Sequence, residues 1–145
     1  MNTQQIELVQ STFALAAPMT DKIAESFYER LFTLDPTVRS LFAGDLKQQR
    51  TKLMTTLTTV VQKLHQPEHL SEMVRLLGQR HMQYGVQAGH YATVGEALVW
   101  TLAQHFGPAF TPEVEDAWAA AYAMLAEAMT ETPSAAAAPV ELTQR

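Results

Sequence analysis

Three observations on this sequence predict an all-α fold. Apolar residues recur at helical spacing in nearly every segment between breakers, and no stretch alternates with period two and β-branched enrichment. The Pro- and Gly-bearing breaks fall where one helix would stop and the next could be capped. Asn2 or Thr3 can cap a helix through about Ala17, with Ile6, Val9, Phe13 and Ala17 on one face. Pro18 suits the first turn of a second helix or the break before it. That helix carries Ile23, Phe27, Leu31 and Leu34 until Asp35-Pro36 stops it. Asp35 then caps a short helix with Pro36 at its first position, and Ala43-Gly44-Asp45 follows Leu41-Phe42.

From about Leu46 to Leu64 the stripe is clearest. Leu46, Leu53, Leu57, Val60, Val61 and Leu64 share a face, with Lys47, Arg50 and Lys63 available for the outside. After Pro67 a further helix holds Leu70, Met73, Val74 and Leu77 and then His81. The pattern lapses between Gly85 and Gly89 and resumes from about His90 to Phe106, with Val94, Leu98 and Leu102 four apart. Gly107-Pro108 ends that helix. Thr111-Pro112-Glu113 starts the last one with a cap, a first helical position and an acid suited to the helix dipole. Val114, Trp118, Tyr122, Leu125 and Met129 carry it to about Glu131. From Thr132 the Ala/Pro-rich sequence lacks an apolar stripe, which predicts one domain over 1–131 and a flexible tail over 132–145.

Composition narrows the function. A chain of 145 residues with 47% hydrophobic and 17% charged residues suits one globular domain. Apolar runs are too short for a membrane span, and no secretory signal opens the chain, so a cytoplasmic protein is expected. Zero cysteines excludes disulfides, thiolate metal sites, iron–sulfur clusters and thiol nucleophiles. Ten scattered basic residues against fifteen acidic ones, a net charge of −5, offer no basic face for nucleic acid.

Few routes to chemistry remain. G-x-S-x-G, H-E-x-x-H, P-loop and EF-hand patterns are absent, which leaves five histidines. His65 and His69 flank Pro67 and read as surface residues, His90 sits at a helix start, and His105 suits the dipole at a helix end. His81 differs: Leu77, Val74 and Leu70 lie four, seven and eleven residues back, so the imidazole continues an apolar stripe. By position alone it is a hydrogen-bonded core histidine or an axial ligand to iron in a porphyrin, whose macrocycle supplies four nitrogens. Zinc would need three or four protein ligands, and His81 has no obvious partners for that.

Taken together, Phe27-Tyr28, Asp35-Pro36-Thr-Val-Arg-Ser-Leu-Phe42, Gln49 with Leu53, Arg80-His81 and His90-Tyr91-x-x-Val94-Gly95 resemble a globin. The likeness, over about residues 3–131, is to bacterial single-domain globins and the haem domain of flavohaemoglobins. It implies a three-over-three helical sandwich around one haem b (iron protoporphyrin IX). On that resemblance His81 is the proximal iron ligand, and Tyr28, Gln49 and Leu53 line the distal side where the gas binds. Phe42, Lys52, Leu77, Arg80, Tyr91, Val94, Tyr122 and Leu125 are then cofactor contacts, Lys52 and Arg80 as partners for the anionic propionates. Flavohaemoglobin-like relatives also set a glutamate in the proximal network. Here that position aligns near Pro133, with Glu131 two residues early, which predicts a weakened network and little peroxidase-type chemistry.

The implied function is reversible binding of O2, and of CO and NO, at five-coordinate iron by a monomer or weak homodimer. The alternative is a nitric oxide dioxygenase. No flavin or nicotinamide domain follows, so that activity is expected to need an external reductase. A gas sensor acting through a partner and a haem-free helical module complete the readings.

Overall fold

The computed structural model describes residues 1–42, 45–83 and 85–131, and among them every regular element is helical. Asn2 opens α1 (Thr3–Phe13) with a capping box: its side chain accepts from the Gln5 amide at 2.8 Å, and Gln5 Oε1 accepts from the Asn2 amide at 3.1 Å. The first helix is shorter than the sequence predicts. Ala14–Met19 is a 3-10 segment containing Pro18, which has no amide to continue an α-helix. With three residues per turn, the buried position after Phe13 becomes Ala16, at 0% exposure, and Ala17 faces outward instead.

The remaining elements follow their caps. After α2 (Thr20–Leu34), Asp35 accepts from the Thr37 amide at 3.1 Å and opens a 3-10 turn over Pro36–Leu41. Asp45 caps α3 (Leu46–Gln62) through the Lys47 amide at 2.9 Å. After α4 (Pro67–Gln83), Gly85 takes φ +94°, and the Val86 amide donates to the His81 carbonyl at 3.0 Å. That left-handed closure suits glycine and stops the helix two residues beyond His81. His90 Nδ1 accepts from the Gln87 amide at 2.9 Å at the start of α5 (Ala88–Phe106), which ends at Gly107 with φ +55°. Thr111, Pro112 and Glu113 start α6 (Pro112–Glu131) in the roles their sequence order predicts.

Two layers of three helices result. α2, α5 and α6 form one, through α2–α5 and α5–α6 packing, and α1, α3 and α4 lie over it. α1 and α4 rest on α6, whereas α3 leans on α2 and on one end of α1. Val9, Ile23, Leu31, Val74 and Leu102 are each below 2% exposed, and Trp118 at 2% donates its indole N–H to the buried Thr12 hydroxyl at 2.9 Å. His105, in the last turn of α5, also bonds the Ser26 hydroxyl at 2.9 Å and so joins α5 to α2. No helix among the described residues is long and apolar enough to cross a membrane. The tail from Thr132, with Pro133, lies outside the described residues, and so do Ala43 and Gly44.

Candidate ligand pocket

α2 contributes an aromatic cluster built around Tyr28. Its ring is 7% exposed and meets Phe27 edge-on at 5.1 Å and Phe42 edge-on at 5.3 Å, with Phe32 at 6.0 Å. These are the separations at which aromatic quadrupoles attract. The Tyr28 hydroxyl lies 3.4 Å from the Gln49 carbonyl, a long bond to backbone and not to the Gln49 amide group. Burial pushes its pKa up to about 12, so the phenol stays protonated and can donate. Gln49, Leu53 and Leu57 lie along one stripe of α3, each half-buried.

The second wall is α4. His81 Nδ1 sits 2.7 Å from the Leu77 carbonyl, and a carbonyl only accepts, so Nδ1 carries the proton. In the neutral imidazole Nε2 is then the nitrogen with the lone pair that a metal requires. Gly78, one turn before His81, brings the backbone of α4 onto that of α6: a Cβ there would lie 2.3 Å from the Met129 carbonyl oxygen. Gly95 instead lets a side chain of α6 lie against the backbone of α5, since its Cβ would lie 2.6 Å from the Tyr122 ring. Tyr122 in turn donates its hydroxyl to the Tyr91 carbonyl at 2.6 Å and fixes the first turn of α5. Burial raises the pKa of both tyrosines, with a further contribution at Tyr122 from Tyr91, so both remain neutral donors.

Between these walls the packing thins. α3 and α4 are backed by different helices and do not form one of the well-packed helix pairs among the described residues. Phe42, Leu53, Leu57, Val94, Tyr122 and Leu125 each press one side on the core and stay only half-buried, and Leu77 is half-buried too. Among the described residues no three His, Asp or Glu side chains gather for a metal ion. One imidazole and a border of half-covered apolar groups suit a flat apolar macrocycle that brings its own metal and needs one axial nitrogen, so the donor set fits a porphyrin. Lys52 on α3 and Arg80 on α4 are both exposed. A separate groove of about 460 Å³ lies between the start of α2 and α3, lined by Thr20, Asp21, Arg50, Met54 and threonines, and contains none of the predicted site residues.

Sequence reasoning named Tyr28, Phe42, Gln49, Leu53, Leu77, His81, Tyr91, Val94, Tyr122 and Leu125, and the fold distributes them over α2 to α6 and the turn before α3. It missed Gly78 and Phe32, and it quoted Gly95 within a motif without a packing role. The glycines carried a signal, since an isolated glycine inside a helical stripe asks for a packing reason.

Comparison with known proteins identifies the family of this fold. The Globin family model matches residues 25–129. A Flavohemoprotein of Bordetella pertussis is 32% identical over 123 residues, which is 83% of this chain and 31% of the relative. The Flavohemoprotein of Bacillus subtilis is 28% identical over 131 residues, 88% of this chain and 33% of that protein. The chain thus spans about a third of the length of the curated relatives it matches. A solved structure from Rhodothermus marinus superposes with a TM-score of 0.82 at 28% identity, covering 92% of this chain and 94% of that one. It is an engineered carbene transferase whose parent carries a provisional nitric oxide dioxygenase assignment. With its three-over-three helices and a family match over most of its length, the chain belongs to the globin family.

Proposed function

We propose that this chain holds haem b between α3 and α4, with His81 Nε2 as the iron's protein ligand, and reversibly binds O2, CO and NO. The observation that carries the reading is the 2.7 Å bond from His81 Nδ1–H to the Leu77 carbonyl, which orients the imidazole and assigns the lone pair to Nε2. When bound, haem would supply the iron at which a diatomic gas binds. Phe42, Leu53, Val94 and Leu125 exclude water from the macrocycle faces, and Tyr91 and Tyr122 support the proximal wall. Lys52 and Arg80 pair with the propionates at the rim, a contribution of about 0–1 kcal/mol for exposed groups. Tyr28 and Gln49 supply the hydrogen-bond donors for a ligand that gains negative charge, each such bond being worth about 1.5–3 kcal/mol. In the cell we place the chain in the cytoplasm, as a monomer or weak homodimer.

The test is the absorption spectrum of the purified, reduced protein with and without CO. A five-coordinate ferrous spectrum that converts to a sharp CO Soret band supports the reading. Absence of a Soret band after hemin is added refutes it, and a bis-imidazole spectrum refutes the open axial position.

The flavohemoprotein relatives and the Rhodothermus structure favour a second reading, a nitric oxide dioxygenase. NO and O2 with one electron give nitrate, and an external reductase would supply the electron. Both readings use the same residues. Rapid mixing of the O2-loaded protein with NO, then cycling with a cellular reductase, separates them: sustained nitrate formation identifies the enzyme, and a single slow turnover identifies the carrier.

A further inference from the structure

We propose that Arg39 is a positioning residue for the distal wall, its guanidinium holding Phe42, and through Phe42 the Tyr28 ring, in one orientation. The inference rests on the haem-binding reading above. Arg39 Nη1 donates to the Phe42 carbonyl at 3.2 Å, and the Phe42 amide donates back to the Arg39 carbonyl at 3.2 Å, so the two residues are tied by side chain and backbone together. The same guanidinium lies over the Phe32 ring, 5.5 Å from its centroid. Phe32 meets Phe42 at 5.7 Å and Tyr28 at 6.0 Å, and Phe42 meets Tyr28 at 5.3 Å, which closes a triangle of three rings.

The arrangement explains why an exposed arginine bears on a buried tyrosine. Phe42 ends the 3-10 turn in extended backbone, is only half-buried, and has no helix of its own to hold it. A planar cation that stacks on one ring while bonding the next residue's carbonyl restricts both at once, which a flexible ammonium cannot do as well. Because Arg39 is itself exposed, truncating it opens no cavity, and its effect is on the orientation of Phe42 and not on core packing.

The experiment compares Arg39→Ala, Arg39→Lys and Phe32→Leu with the parent chain. Two quantities are read: amide hydrogen exchange over residues 38–42, and the C–O stretching band of the haem-loaded, reduced protein under CO. In Arg39→Ala, exchange at Phe42 should speed by at least about threefold, and the band should broaden or split as Tyr28 samples more than one orientation. Arg39→Lys should recover part of both effects. Phe32→Leu removes the platform but leaves the carbonyl bond, so it should give a smaller change of the same kind. Unchanged exchange in Arg39→Ala overturns the proposal. Faster exchange with an unmoved band overturns it too, because Phe42 would then be held without consequence for Tyr28. If neither the parent chain nor any variant takes up hemin, the haem reading fails instead, and exchange at Phe42 alone decides whether Arg39 holds that residue.

Discussion

The wall that carries His81 and the wall that carries Gln49 are built from different contacts. On the His81 side, α4 meets α6 through backbone, where a Cβ at Gly78 would come within 2.3 Å of the Met129 carbonyl oxygen, and α5 meets Tyr122 through Gly95. On the Gln49 side, α3 leans on α2 through side chains such as the buried Met54, and beside them lies the threonine-lined groove of about 460 Å³. Backbone contacts have no rotamers to change, so the first wall resists displacement while the second can adjust. On the proposed reading the difference suits each wall, since a metal ligand gains from a fixed position and a pocket that admits a gas gains from small local movement.

The largest effect should come from His81→Ala. It removes the nitrogen proposed to hold the iron, and on that reading the ferrous spectrum should lose its axial-histidine character. Imidazole added to the solution should restore that character if the cavity left behind is intact. An unchanged spectrum in the variant would remove His81 from the iron. Next is Gly78→Ala. Alanine favours a helix over glycine by about 1 kcal/mol, yet here its methyl group meets main chain that cannot move aside. Overpacking should win, with a net loss of about 2–3 kcal/mol in denaturant unfolding and weaker hemin retention, since His81 lies on the next turn. A more stable variant would show that α4 and α6 can separate freely, and the contrast between the walls would fall.

Much of this was legible in the sequence, and the exceptions have physical reasons. The stripes at Val9, Ile23, Leu31, Val74 and Leu102 and the caps at Asn2, Asp35 and Thr111 are local, so periodicity and cap chemistry find them. Pro18 was visible as a breaker, but the 3-10 path that moves the buried position from Ala17 to Ala16 depends on how α1 sits against its neighbours. His81 stood out because its stripe is otherwise apolar; its tautomer did not, because that depends on a helical carbonyl. Gly78 and Gly95 matter through residues roughly 30–50 positions away, a separation that spacing rules cannot bridge.

Alkaline pH should probe both walls together. Tyr28 on one side and Tyr122 on the other keep their protons above the ordinary tyrosine value of 10.0, because burial penalises the phenolate. Above that pH the unfolded chain loses protons that the folded chain retains, so stability must fall as pH rises. The decline should begin near pH 10, and for Tyr28, with its pKa pushed up to about 12, should reach about 2 kcal/mol by pH 12. Tyr28→Phe should flatten part of that decline, and should also speed O2 release by at least about tenfold, a loss of about 1.5–3 kcal/mol of hydrogen bonding to a ligand that gains negative charge. A pH profile identical in parent and variant would mean that Tyr28 is better hydrated than its 7% exposure implies.

Asp21→Asn should have the smallest effect, and it addresses the adjustable wall directly. Asp21 Oδ1 lies 3.8 Å from Arg50 Nε across the groove, but the Asp21 side chain is 88% exposed, so water and salt screen the pair. Removing its charge should change stability by less than about 0.5 kcal/mol and leave the CO rebinding rate within error. Arg50 itself is 24% exposed, and its Nε has no hydrogen-bond partner among the described residues, so the guanidinium gains little from this carboxylate. If Asp21→Asn instead cost as much as Gly78→Ala, the α2–α3 contact would depend on that one ion pair. The Gln49 wall would then be as fixed as the His81 wall, and ligand entry would have to use some other movement of the fold.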